Sequence, residues 1–287
     1  MTNYIKLLRP HQYLKNLFIF MPLFFGLKIT DMHLFFNTLI SFVSFSLVAS
    51  SIYIFNDYHD IADDRNHPAK KNRPLASGKV SKKSAVVLMA VFWAAGFGIS
   101  FIPGSGVSLL ILLYVAMNIA YTLKLKHIAI IDIFIIATGF IIRLFVGSQS
   151  GSVSLSMWII VITFLLALFL ALAKRRDDLI LYLESGHKAR KVIEGYNVEF
   201  LNSAMVVMAS VVIVSYIMYT ISADVVAKMH SNRLYFTVVF VIMGLMRYMQ
   251  QTLVLKNSSS PTEVLMKDRF LQLVIAGWLL TFMLLIY

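Results

Sequence analysis

Residues 34–55 read LFFNTLISFVSFSLVASSIYIF, and residues 56–65 follow directly as NDYHDIADDR. The first run carries no charged side chain over 22 residues, the length an α-helix needs to cross a hydrocarbon layer about 30 Å thick. The second places four aspartates within ten positions. An apolar helix that ends in a concentrated set of carboxylates points to a membrane protein with polar chemistry at one face.

Comparable runs recur along the whole chain, of which 59% of the residues are hydrophobic and 14% charged. They place nine spans at roughly 16–28, 34–55, 84–102, 107–123, 128–147, 155–173, 201–222, 234–255 and 270–287. The runs are continuous rather than alternating, which excludes a membrane β-barrel and predicts an all-α polytopic membrane protein. The polar stretches are too short for an independent core, so residues 1–287 read as a single transmembrane domain with functional loops at 56–83 and 174–200. No cysteine is present, which removes disulfide frameworks and thiolate metal sites. The N-terminus leads straight into the first span and shows no cleavable signal pattern.

A net charge of +12 invites a nucleic-acid reading, but the distribution argues against one. With nine spans, 21 of the 26 Lys and Arg fall on the side of the N-terminus, three on the other, and Arg143 and Arg247 within spans. The positive-inside rule then places the N-terminus and both large loops in the cytoplasm. The expected location is an integral membrane protein of a bacterial inner membrane, working from its cytoplasmic face. Two of the outer connections, PGSG at 103–106 and GSQSGSVS at 147–154, carry no ionisable side chain.

Continuing the second helix past Phe55 gathers Asn56, Asp57, Asp60, Asp63 and Asp64 into an arc of roughly 120°, with Arg65 turned away. Carboxylates this close raise one another's pKa unless a cation neutralises them. Hard oxygen donors without histidine or thiolate partners suit magnesium, which usually completes its shell with water and substrate phosphate oxygens. Pro68 is expected to end the helix at His67, and Lys70, Lys71 and Arg73 then return as a basic loop able to hold phosphate. Acidic cluster and basic loop together form a candidate site for a magnesium-bound diphosphate. The bland alternative is that the basic residues serve topology alone.

A second cytoplasmic cluster, AKRRDDL at 173–179, follows the sixth span. There Lys174, Arg175, Asp177 and Asp178 either hold a second phosphate or form a solvated helix end. Arg247 lies about 12 Å inside span eight and is a candidate for a lipid or sugar phosphate, with snorkelling as the alternative. Arg143, near the outer end of span five, is expected to snorkel, and Asp132 to pair with a loop lysine. The segment TNYIKLLRPHQYLKN at 2–16 reads as an interfacial helix, and the loop 256–269 as a polar cap. The apolar side chains either line a groove for a polyprenyl chain or face lipid.

With these residues assembled, the chain resembles the UbiA superfamily of intramembrane prenyltransferases. The signature N-D-x-x-D-x-x-x-D falls on Asn56, Asp57, Asp60 and Asp64, and R-P-x-x-x-G on Arg73, Pro74 and Gly78. The resemblance implies nine helices around a membrane-level cavity, with aspartate-rich loops after helices two and six. The second motif of that family, D-x-x-x-D, is absent; the chain has adjacent Asp177 and Asp178 preceded by three basic residues. That departure resembles the phosphoribosyltransferase branch, as do LRPHQYLKNLFIFMPL at 8–23, YTLKLKHIAIID at 121–132, RKVIEGY at 190–196 and DR at 268–269.

The implied reaction belongs to cell-envelope biosynthesis. It joins the anomeric carbon of phosphoribosyl pyrophosphate to the phosphate of a long polyprenyl phosphate and releases diphosphate. By that resemblance Asn56, Asp60 and Asp64 hold magnesium and Asp57 supports them, so that Asp57, Asp60 and Asp64 are the catalytic acids. Lys15, Asn16, Lys70, Arg73, Lys126, Lys174 and Arg175 are candidates for the anionic oxygens, and Tyr121 for the ribose. Two rivals stand beside this reading. One is prenyl transfer from a prenyl diphosphate to an aromatic acceptor; the other is a membrane transporter, which would place its polar groups nearer mid-membrane.

Overall fold

The computed structural model describes residues 2–66, 70–185, 191–255 and 261–286. Every regular element among them is helical. The chain divides into two compact units, Met1–Leu155 and Ser156–Tyr287. Seven helices are long and apolar enough to cross a membrane, and an eighth candidate is a pair bent by 99°.

The first unit starts with α1 (Thr2–Leu8), a 3₁₀ segment (Pro10–Phe20) and α2 (Met21–Phe25). The expected first span at 16–28 is therefore 3₁₀ up to Phe20 and α-helical only over Met21–Phe25. Pro22 contributes to the difference: it lacks the N–H that an α-helix would direct at the Phe18 carbonyl and crowds that carbonyl, whereas Pro10 opens the segment, where no N–H is used. The narrower 3₁₀ coil rises about 2 Å per residue, so segment and α2 together span about 30 Å, one bilayer core.

Next come α3 (Met32–His59), α4 (Ile61–Arg65), α5 (Lys82–Ile99), α6 (Ser105–Leu123) and α7 (Ile131–Ser150). Asp31 caps α3 by accepting from the Leu34 N–H at 3.2 Å, and Ser81 caps α5 through the Ser84 N–H at 3.1 Å. The buried face of α3 is rich in small polar residues, among them Ser41, Ser44, Ser46, Ser50 and Ser51. Small residues let membrane helices approach closely. Ser44 Oγ donates to the Gly96 carbonyl of α5 at 2.7 Å. A close approach joins α7 and the 3₁₀ segment, where a Cβ on Gly147 would lie 1.9 Å from the Ile19 carbonyl oxygen. Around these contacts Ile19, Phe45, Val48, Ile52, Ile111, Ile142 and Val146 form the core.

The second unit comprises α8 (Met157–Ser185), α9 (Val198–Ile221), α10 (Ala223–Met229), α11 (Val238–Leu253), α12 (Pro261–Lys267) and α13 (Arg269–Ile286). The bent pair is α10 with Leu234–Leu253. Asn197 caps α9 through the Phe200 N–H at 2.7 Å. Two polar links tie the helices: Arg176 donates to Asn202 Oδ1 at 2.7 Å and to the Thr252 carbonyl at 2.8 Å, and Trp278 Nε1 donates to the Tyr216 hydroxyl at 2.7 Å. Helix α8 does not stop at residue 173 but runs on to Ser185, so the sequence AKRRDDL lies on a helix.

Candidate active site

The acidic arc is carried by two helical pieces and not by one continuous helix. Helix α3 ends at His59, Asp60 departs from helical geometry at φ −92°, ψ 10°, and α4 resumes at Ile61. Hydrogen bonds from Asp60 N–H to the Asn56 carbonyl (3.0 Å) and from Asp64 N–H to the Asp60 carbonyl (2.8 Å) span the break. The four-residue register therefore survives, and the motif residues stay on one side. Helix α4 ends at Arg65; His67 and Pro68, the expected stop, lie outside the described residues.

The returning loop is shaped by Pro74 and Gly78. Ser77 N–H bonds the Arg73 carbonyl at 2.9 Å and Val80 N–H the Pro74 carbonyl at 3.0 Å. Gly78 takes φ +74°, a conformation glycine adopts without Cβ strain. Arg65, turned away from the arc, donates to the Ala76 carbonyl at 3.1 Å and fastens the loop to α4. Leu75 and Val80 pack into a small core with Leu7, Ile54 and Ile61. Loop and helix end are thus a rigid pair.

Against this frame each motif carboxylate meets a cation. Asp57, 2% exposed, takes Arg9 and Arg73 on the same oxygen, Oδ1; the Arg73 contact is 3.0 Å. Arg73 also reaches Asp64 Oδ2 at 2.7 Å. Asp60 holds Lys126, a nine-tenths buried side chain from the short turn between α6 and α7. Thr122 donates to Asn56 Oδ1 at 3.3 Å. The structure thus brings together Asn56, Asp57, Asp60, Asp64, Arg73 and Lys126, all anticipated from sequence, and adds Arg9 and Thr122, which were not. Burial lowers the Arg9 pKa and the neighbouring Asp57 offsets part of that. Asp63, although in the same arc, is exposed. Lys70 and Tyr121 are half-buried.

Among the described residues no three acidic or histidine side chains are gathered as a ready metal cage. Magnesium does not need one, since it is typically held by one or two carboxylates while substrate phosphates and water complete the shell. Asp60, Asp64 and the Asn56 side-chain oxygen Oδ1 supply all-oxygen donors on one side, each paired with a displaceable cation or hydroxyl. The donor set fits the ion.

Other expected positions differ. Asn16 is 1% exposed; it donates to Ser46 Oγ at 2.9 Å and accepts from Arg143 Nε at 2.9 Å. It sits in the bundle interior, about 16 Å from Asp57 along α3 as judged from its partner Ser46, and not with the cluster. Arg143 does not snorkel: it is buried, donates to the Gly139 carbonyl at 2.7 Å and lies over the rings of Phe45, Tyr114 and Phe140. A guanidinium within an aromatic cage costs less than a lone buried charge, which is why this arginine stays inside. Asp132 is fully buried in the first turn of α7.

In the second unit Asp178 faces Lys174 at 3.1 Å and Arg175 at 3.0 Å, and Asp177 is half-buried beside them. Arg247 faces Asp268 through Nε at 3.0 Å and Nη2 at 2.7 Å, with Gln250 at 2.6 Å and the Phe270 ring beneath it. It belongs to that local network and does not reach outward as a snorkelling side chain would. The Arg247 hydrogen bonds hold the Asp268 carboxyl below the ordinary carboxylate range, helped by the Leu271 N–H and Gln251.

Comparison with known proteins finds relatives along nearly the whole chain. The decaprenyl-phosphate phosphoribosyltransferase of Mycolicibacterium smegmatis is 30% identical over 288 residues, covering 97% of this chain and 90% of that protein. The decaprenyl-phosphate phosphoribosyltransferase of Corynebacterium glutamicum is 29% identical and covers 99% and 86%. The structure of a UbiA homologue from Archaeoglobus fulgidus bound to GPP and Mg2+ superposes with a TM-score of 0.74, covering 99% of both chains at 18% identity. Residues 18–283 match the UbiA prenyltransferase family, and the chain belongs to that family.

Proposed function

We propose that the chain is a magnesium-dependent phosphoribosyltransferase acting on a polyprenyl phosphate. The observation that carries this is the charge-balanced cluster of Asp57, Asp60 and Asp64 with Arg9, Arg73 and Lys126, in a chain that aligns along nearly its whole length with transferases of that name. In the reaction the C1–O bond to the diphosphate breaks and its electron pair leaves with the diphosphate. An oxygen of the lipid phosphate forms the new bond to C1.

Asn56, Asp60 and Asp64 are the residues that would hold magnesium. When bound, the ion neutralises charge on the departing diphosphate. Arg73 and Lys126, now resting on Asp64 and Asp60, are placed to transfer to the phosphate oxygens once those carboxylates are engaged. Arginine suits the bidentate phosphate contact and lysine a point contact. Tyr121 and the remaining carboxylate density favour positive charge developing at the ribose. The acceptor phosphate is already an anion, so no general base is required, and the histidines carry no assigned step. Lys15 and Lys70 are further candidates for phosphate oxygens. Within the second unit Lys174, with Asp177 and Asp178 as neighbours, is proposed to meet an anionic group.

We further infer nine crossings: the seven long helices, the bent pair, and the 3₁₀ segment with α2 as the first. The N-terminus and the cluster then lie in the cytoplasm, in a bacterial inner membrane. The test uses purified protein in detergent with magnesium, polyprenyl phosphate and phosphoribosyl pyrophosphate labelled in the ribose. Magnesium-dependent entry of label into the lipid phase is expected. Transfer only from a prenyl diphosphate to an aromatic acceptor would replace this reading with the prenyl-transfer one.

A further inference from the structure

Arg9 enters the cluster from an unexpected direction. It is the single residue between α1 and the 3₁₀ segment, and its backbone is left-handed at φ 53°, ψ 55°, a conformation that strains a non-glycine residue. The following Pro10 locks the start of the next element. What the turn accomplishes is delivery of the side chain: the guanidinium crosses to Asp57 and lies 5.4 Å over the Tyr53 ring.

The donors of Arg9 are only partly used. Of its five N–H groups, one goes to Asp57, and the others have no acceptor among the described residues. The side chain is 20% exposed while Asp57 is 2% exposed, so Arg9 keeps an access to its surroundings that Asp57 lacks. Arg73 shares the same Asp57 oxygen and is itself partly exposed. Two guanidiniums are thus pinned side by side on one buried carboxylate. Arg73 bridges Asp57 and Asp64 through a single nitrogen, so it can release Asp64 and still be held by Asp57. A carboxylate occupied by two arginines on one oxygen is poorly placed to be a metal ligand as well.

We propose that Arg9 is a further anion-binding residue of this site, contacting the phosphate oxygens of the donor, and that Asp57 is its positioning residue and not a metal ligand. The assignment rests on the phosphoribosyl-donor reading above for the identity of the ligand, though not for its charge. Asp57 orients Arg9 and Arg73; Asp60 and Asp64 remain with the metal.

The test measures calorimetric binding of two probes, inorganic diphosphate and phosphoribosyl pyrophosphate, each with magnesium, to the full chain in detergent. A lost charge-assisted hydrogen bond corresponds to about 10- to 100-fold. Arg9→Gln and Asp57→Asn are each expected to weaken both probes by about that much, and the double variant to be no weaker than Asp57→Asn. Asp57→Asn should leave the magnesium concentration for half-maximal binding within about twofold of the parent, whereas Asp60→Asn should raise it. If Arg9→Gln does not purify folded, Arg9→Lys decides, with about tenfold weaker binding expected because the planar fork is lost.

Parent-like binding by the Arg9 variants overturns the assignment. So does a magnesium shift in Asp57→Asn equal to that in Asp60→Asn. If the parent binds magnesium diphosphate but not phosphoribosyl pyrophosphate, and Arg9→Gln weakens the former, Arg9 stands and the donor identity falls. A parent that binds neither probe overturns both.

Discussion

Gly147→Ala is the sharpest structural test available in the first unit. The added Cβ would lie 1.9 Å from the Ile19 carbonyl oxygen, 2.8 Å from its carbon and 3.1 Å from Pro22 Cδ. The first two are backbone atoms, so no side-chain rotation relieves the contact; α7 and the 3₁₀ segment must separate by about 1 Å. Overpacking a tight contact costs about 1–3 kcal/mol, and a backbone collision belongs at the upper end. For a unit of this size each kcal/mol moves Tm by about 2–4 °C, giving a fall of about 6–12 °C.

The matched control is Gly98→Ala in α5, where nothing lies within 4 Å of the new Cβ and alanine is the better helix former by about 1 kcal/mol. Gly98→Ala is expected to melt at or slightly above the parent temperature. Melting is read from tryptophan fluorescence in one detergent, since the chain has three tryptophans and no cysteine for thiol-reactive dyes. Equal melting of Gly147→Ala and parent, or an equal fall in both variants, would refute the packing of the 3₁₀ segment against α7.

Three further outcomes are expected. Asp64→Asn should reduce turnover by at least about 100-fold, as loss of a principal electrostatic group does, with Tm within a few degrees of the parent; turnover within threefold of the parent removes Asp64 from the site. Chelation of divalent metal should abolish turnover while leaving the fold intact, which a circular dichroism melt with and without chelator checks; residual full activity contradicts the metal assignment. Asp268 has a folded-state pKa held below its unfolded value. Its stabilisation is therefore complete above the unfolded carboxylate pKa near 4 and is lost as pH falls through the depressed value. Asp268→Asn should flatten the melting-temperature decline between about pH 5 and 3, and an unchanged decline would show that Asp268 contributes none of it.

The spans and the acidic motif were legible in the sequence because both depend on local periodicity. A 22-residue uncharged run can be little but a buried or membrane helix, and aspartates spaced by three and four share a face whether or not the helix kinks at Asp60. The cations that meet them were only partly legible. Arg73 follows in the same loop and Lys126 sits at a helix boundary, both natural sites for charge. Arg9 was missed because the default reading of residues 2–16 is one interfacial helix, which hides a left-handed turn at the RP step. That dipeptide was the signal available, since the residue before a proline is turned away from right-handed helix.

Asn16 and Arg143 illustrate a different limit. They are 127 positions apart, and no periodicity links them. An arginine near a span end reads as snorkelling, and an asparagine beside a lysine as a phosphate contact, until the aromatic cage of Phe45, Tyr114 and Phe140 shows the pair to be interior. Arg247 was half legible: its cost inside a span pointed to a lipid or sugar phosphate or to snorkelling, whereas the structure pairs it with Asp268 beyond the intervening loop. The first span is 3₁₀ rather than α-helical up to Phe20, and the sequence does contain a physical reason, the proline at 22.

The central claim is the transfer itself, and mass spectrometry of the lipid product tests it most directly. Purified protein is given magnesium, a polyprenyl phosphate, phosphoribosyl pyrophosphate and a prenyl diphosphate with an aromatic acceptor in one mixture. The account predicts a lipid heavier than the starting polyprenyl phosphate by one phosphoribosyl unit, absent with chelator or with Asp60→Asn. A prenylated aromatic product with the polyprenyl phosphate unchanged would contradict it.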